Sequence, residues 1–165
     1  MRIGECVCAA QVAFVSIAHS CIATQCAGGY FQPQAGASAC YKCTTERGPE
    51  YDSPTRATNC TRCLMSFFMD DDGICQICPT GVDCARSGST LAGLWIKPWY
   101  YRFSADSTLV YKCPKGADCI GGNFTGERLC SRAAKGHLCS ACEVNHYVRN
   151  AVEACTECGD VNDLW

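Results

Sequence analysis

Residues 40–63 read CYKCTTERGPEYDSPTRATNCTRC, two C-x-x-C pairs with sixteen residues between Cys43 and Cys60. Four thiolates at that spacing can close around one zinc ion, as in a zinc ribbon. The same spacing fits neighbouring disulfide loops of a secreted chain. Cys139 and Cys142, near His146, have the residue types of a thiol–disulfide redox pair. Asp70, Asp71 and Asp72 precede a glycine in MDDDGIC and offer the oxygens calcium prefers. They lack the alternating spacing and closing glutamate of an EF-hand loop, so a solvated turn is expected. His19, His137 and His146 are far apart in sequence.

Number and arrangement decide between these chemistries. C-x-x-C recurs five times, which favours architecture over catalysis. Zinc sites built on serial pairs would compete for the same knuckles. They would also orphan the single cysteines Cys26, Cys84, Cys113, Cys119 and Cys130. Loop-closing disulfides use all of them. The chain has 18 cysteines in 165 residues, above the roughly 8–10% that marks a disulfide scaffold in a short chain. Leu, Ile, Val and Phe make up about 18% of it, under the roughly 20% at which a single apolar core becomes doubtful. Crosslinks must replace the missing core. No catalytic residue, metal ligand or cofactor is expected. An intracellular zinc-binding interaction module is the rival reading.

With Cys26 as opener, the second cysteine of each pair can bond to the first of the next. That gives Cys26–Cys40, Cys43–Cys60 and Cys63–Cys75. Tyr30 and Phe67 each follow an opening cysteine by four residues and would supply a local core beside a disulfide. Glycine and proline between Gly28 and Cys63 argue against long helices. Residues 85–112 hold no cysteine; LWIKPWYYRF and STLVYKC read as short strands around Ser104–Ser107, with Pro98 marking a break or an edge. The expected fold is small, disulfide-rich and mostly β or irregular, an elongated tandem array of cysteine-rich modules with short hairpins. CPTGVDC (78–84) and CPKGADC (113–119) repeat at an offset of 35.

The net charge of −2, with no basic face, argues against nucleic acid as a partner. No stretch reaches the 18 or so apolar residues of a membrane span. Residues 1–25 read as a secretory signal peptide or a stray upstream segment: CVCAAQVAFVSIA is apolar behind Arg2, while Glu5, Gln11, Cys6 and Cys8 are unusual in a leader. Asn59 and Asn123 head N-x-[ST] sequons and are candidate glycosylation sites. Trp95, Trp99, Tyr100, Tyr101 and Phe103 form the densest aromatic group. They either cover disulfides or offer a partner patch for a protein or glycan ligand.

CAGGYFQPQAGASACYKC resembles the cysteine-rich repeats of ephrin-receptor-like and growth-factor-receptor ectodomains, with Tyr30 directly after the glycines. CSRAAKGHLCSACEVNHYVRNAVEACTEC resembles the second half of a laminin-type EGF module, with Asn145 where that family has glycine. The resemblance implies Cys130–Cys139 and Cys142–Cys155. The stretch with WYYRF and VYKCPKGADCIGG is similar to cysteine-rich segments before membrane spans in protist and algal surface proteins.

Cys78, Cys84, Cys113 and Cys119 then allow three pairings. Local closure gives 78–84 and 113–119. The crossed, EGF-like choice gives 78–113 and 84–119, and it is preferred because a hairpin over 91–112 would bring Cys84 near Cys113. Cys158 is left to open a further loop or to pair with Cys6, Cys8 or Cys21. The domain reading is ephrin-receptor-like repeats over 26–84, an aromatic hairpin and CPxGxDC module over 85–129, and a truncated laminin-EGF-like module over 130–165. Together these imply a non-enzymatic, extracellular receptor or adhesion fragment whose parent is membrane-anchored.

Overall fold

A computed structural model describes residues 26–34, 39–150 and 152–159 of the protein. The expectations for residues 1–25 lie outside them. The described chain is mostly two- and three-residue strands and irregular backbone, closed by seven disulfides. It divides into two units. One runs to Gln76 and takes back Arg86–Ser89; the other holds Ile77–Ala85 and the chain from Thr90 onward.

In the first unit β1 (Tyr30–Phe31) pairs with β2 (Tyr41–Lys42), and α1 (Cys43–Glu46) is a single turn. β3 (Tyr51–Asp52) then pairs with β4 (Arg62–Cys63). β5 (Phe67–Met69) lies between β6 (Cys75–Ile77) and, after β7 (Val82–Asp83) has passed through the second unit, β8 (Ser89–Thr90). The core is cystine and aromatic ring. Cys43, Tyr51, Cys60, Cys63 and Cys75 are buried together, with Phe31, Phe67 and Met69 packed against them. Phe67 therefore does what its offset predicts, whereas in the first loop Phe31, one residue after Tyr30, makes that contact.

In the second unit β7 pairs with β9 (Trp95–Ile96), and β10 (Tyr100–Tyr101) with β11 (Tyr111–Lys112). β12 (Ala134–Lys135) pairs with β13 (Ala141–Cys142), and β14 (His146–Tyr147) with β15 (Thr156–Glu157). Short 3₁₀ turns cover Gly116–Asp118, Gly126–Leu129 and His137–Cys139.

One hairpin recurs through the chain. The N–H that opens the first strand closes a turn on the carbonyl three residues back: Tyr30 on Ala27, Phe67 on Leu64, Val82 on Pro79, Tyr100 on Lys97 and His146 on Glu143. In these five the residue before the strand has positive φ: Gly29, Ser66, Gly81, Trp99 and Asn145. That is the type II turn, whose third position favours glycine and tolerates asparagine. Asn145 thus fits where the resemblance would place glycine. The returning strand then donates to that residue's carbonyl: Cys43 to Gly29 at 2.9 Å, Lys97 to Gly81 at 2.8 Å, Cys113 to Trp99 at 2.9 Å and Cys158 to Asn145 at 2.7 Å.

The same register makes the cysteine-free stretch a further copy. Tyr100↔Lys112 and Tyr101↔Tyr111 reproduce Tyr30↔Lys42 and Phe31↔Tyr41. Ile96 then stands where the first copy has Cys26, and Val110 where it has Cys40. Ile96 is fully buried.

The crossed pairing of four cysteines is corrected: the bonds are Cys78–Cys84 and Cys113–Cys119, each with its Cα atoms 6.4 Å apart. Two local features allow this closure. Gly81 and Gly116 turn each heptapeptide tightly enough that an aromatic ring lies on the glycine; a Cβ on Gly81 would meet Tyr100 at 2.3 Å, and one on Gly116 would meet Trp99 at 1.8 Å. In addition, β9 pairs with β7 rather than folding back within 91–112, so the hairpin that motivated crossing spans only 100–112.

Candidate partner-binding surface

The aromatic group of residues 95–111 splits by direction. Ile96 points inward on β9, so Trp95 points out and is 55% exposed. Tyr101 is buried on β10, while Tyr100 is half-buried over Gly81. Trp99 sits in the turn with φ +76°, a conformation that costs a bulky L-residue about 1–2 kcal/mol. Its ring covers Gly116, its N–H donates to Cys119, and its carbonyl accepts from Cys113, both at 2.9 Å. These contacts hold a tryptophan that stays 54% exposed. Of the five aromatic residues expected to cover disulfides or form a patch, Trp95, Trp99 and Phe103 face outward; Tyr100 and Tyr101 form the support.

Phe103, Leu109 and Tyr111 are also exposed. The Phe103 ring centroid lies 4.9 Å from Tyr101, 5.4 Å from Tyr111 and 5.6 Å from His137. The two tyrosine contacts are edge-to-face, the arrangement that the ring quadrupoles favour. Tyr111 and Leu109 were read as part of the STLVYKC strand but not of the patch; the Tyr101↔Tyr111 register brings the two segments together.

Arg102 fixes the loop that carries Phe103. Its side chain is fully buried. It donates to the carbonyls of Leu91 at 3.0 Å, Ser107 at 2.7 Å and Ala105. Burial pushes the guanidinium below its ordinary pKa, and the charge of Asp106 acts against this. It remains a cation at neutral pH. Burial, then the charge of Glu127, raises the Tyr101 phenol. Beyond this loop, Arg128 lies 4.2 Å from the centroid of Phe124.

A polar clamp distinguishes CPKGADC from CPTGVDC. The buried Lys115 ammonium donates to Ser140 O at 2.8 Å. The buried Asp118 carboxylate accepts the Cys155 N–H at 3.0 Å and the Ser131 hydroxyl at 3.0 Å. In the earlier copy threonine replaces the lysine, and Asp83 takes the nearby Ala85 N–H instead. The K-for-T difference is the signal in the sequence that could have pointed to the clamp.

Asp70 is occupied in its own turn, accepting from the N–H groups of Asp72 and Ile74 and from the Gln76 amide. Cys139 and Cys142 are bonded to different partners, Cys130 and Cys155. His146 Nδ1 lies 3.1 Å from the Val144 carbonyl, and His137 lies against Phe103, so the structure does not unite the two. His19 lies outside the described residues. Among the described residues no group of three or more His, Cys, Asp or Glu is placed to hold a metal ion, and Cys158 is an unpaired, exposed thiol. Asn59 and Asn123 are both exposed. The outward rings offer apolar contact on a crosslinked frame. No family model, curated protein or solved structure matches this chain.

Proposed function

We propose that this chain is a non-enzymatic, extracellular cysteine-rich repeat region of the ephrin-receptor-like and growth-factor-receptor kind, ending in a laminin-EGF-like part. It belongs to a larger, membrane-anchored receptor or adhesion protein, in which it serves as a spacer and presents a surface to a protein or glycan ligand. One observation carries the reading: the same turn-and-register hairpin recurs through the chain, with fourteen cysteines closed into seven disulfides. Disulfides at this density require an oxidising compartment. Trp95, Trp99 and Phe103 supply the rings that dominate protein contacts elsewhere.

The test is a thiol count on protein purified without reductant, alkylated in denaturant before any reduction. At most the four cysteines outside the seven disulfides react. A folded chain with more free thiols, or one that retains near-stoichiometric zinc after reducing purification, overturns the reading in favour of an intracellular zinc module.

A further inference from the structure

We infer that Asn123 carries an N-linked glycan and that Asn59 stays bare. The inference rests on the secretory reading above and adds a site to it. Both residues head a sequon and both are exposed, so neither motif nor exposure separates them. Their local chemistry does.

Transfer requires the asparagine amide nitrogen and the hydroxyl two residues on to be presented together. The Asn123 Nδ2 attacks C1 of a polyprenyl-diphosphate-linked oligosaccharide. The C1–O bond to phosphate breaks, the polyprenyl diphosphate leaves, and the amide nitrogen gives up one proton. Any competing use of the amide, or burial of the residue between asparagine and threonine, opposes that presentation.

At Asn59 both oppositions are present. The amide oxygen is turned back onto the Cys60 N–H at 2.8 Å. Cys60 itself is buried and bonded to Cys43, seventeen residues earlier. Cys43 enters the oxidising lumen first, so the bond that draws Cys60 inward forms in competition with transfer.

At Asn123 neither applies. The middle residue is Phe124, 40% exposed, with the Arg128 guanidinium over its ring. Thr125 stands at the start of the 3₁₀ turn Gly126–Leu129 without making a side-chain cap, which leaves its hydroxyl unengaged there. The segment is pinned just upstream, where Gly122 and Ile96 exchange N–H···O bonds of 2.9 and 2.8 Å. Asn123 therefore leaves a fixed backbone at the edge of the β7–β9 pair, where a glycan bars further strand pairing.

The experiment secretes the full 165-residue chain behind a heterologous leader from a glycosylating eukaryotic host. It compares the native protein with Asn123→Gln, Asn59→Gln, Thr125→Ala and Thr125→Ser. Peptide mapping after glycosidase treatment locates the asparagine converted to aspartate. One glycan is expected, on Asn123; it disappears in Asn123→Gln and Thr125→Ala and persists in Asn59→Gln and Thr125→Ser. A bare Asn123 in protein with seven disulfides overturns this inference and leaves the secretory reading standing. Loss of the only glycan in Asn59→Gln also overturns it. An occupied Asn123 on a folded chain with reduced cysteines supports the site and overturns the reading.

Discussion

Replacing Arg102 with methionine keeps the bulk and the aliphatic stem but removes three hydrogen bonds to carbonyls of Leu91, Ala105 and Ser107. Each bond from a charged donor contributes about 1.5–3 kcal/mol. Not all of this is lost. Ala105 and Ser107 lie in a loop that is largely at the surface, and water can replace the donor there. The bond to Leu91 is buried, so that carbonyl is stranded, at about 1–3 kcal/mol. The guanidinium's own desolvation, which lowers its pKa in the native protein, is returned. The net expectation is a loss of about 2–4 kcal/mol, near the top of what single substitutions cost. Denaturant unfolding with disulfides intact, followed by tryptophan fluorescence, measures it. Hydrogen exchange over Ser104–Leu109 locates it. Arg102→Lys is intermediate, because one ammonium cannot span acceptors on two segments. A methionine variant within about 0.5 kcal/mol of native, or unchanged exchange in the loop, refutes the claim that Arg102 holds the Phe103 surface in place.

Gly116→Val puts a Cβ 1.8 Å from the Trp99 ring, so Trp99 is displaced, at about 1–3 kcal/mol; its emission shifts, whereas an unchanged spectrum and midpoint would show that the ring was never seated there. The pair Ile96→Cys with Val110→Cys forms an eighth disulfide, because those positions match Cys26 and Cys40; two alkylatable thiols at 96 and 110 in folded protein would show the register to be wrong. The Asp70 carboxyl titrates below its ordinary 3.8, held down first by the Gln76 amide and then by the Ile74 N–H. The turn's contribution is therefore whole above pH 3.8 and is lost as pH falls through the lower folded value. Gln76→Ala moves the Asp70 carbon resonance titration back towards 3.8, and a native titration at 3.8 or above contradicts the hydrogen-bond account.

Whereas Cys130–Cys139 and Cys142–Cys155 came only from the resemblance, Cys26–Cys40, Cys43–Cys60 and Cys63–Cys75 were legible because the single cysteines favour disulfides over zinc and Cys26 as opener sets the order of closure. The Trp99 turn was not, since no propensity places a tryptophan at positive φ; only its packing on Gly116 and its two backbone bonds explain it. Arg102 was equally hidden. It sits within WYYRF as the one charge in an aromatic run, and a charged residue there reads as solvated until the loop is seen to wrap it with carbonyls. The crossed pairing went wrong for a topological reason. Strand-forming residues at 95–96 announce a strand but not its partner, and β7 rather than β11 took it.

The β10–β11 copy, which lacks a cystine across its hairpin, separates two roles that the Cys26–Cys40 and Cys142–Cys155 loops combine. In the loop closed by Cys26 and Cys40, turn, register and covalent bond coincide, so that loop does not separate their roles. Where Ile96 and Val110 replace the cysteines, the turn hydrogen bond and the register persist without the bond. The turn and the register therefore do not require a cystine at those two positions. The magnitudes agree: closing a loop of about 15 residues removes roughly 3 kcal/mol of unfolded-state entropy, while fully burying an isoleucine contributes about 1.5–3 kcal/mol. A buried isoleucine can thus take the place of the opening half-cystine in this copy, beside Tyr101, Leu94 and Leu129, which are buried in the same unit. It could not do so in every copy, because the chain has too few large apolar residues to fill each hairpin.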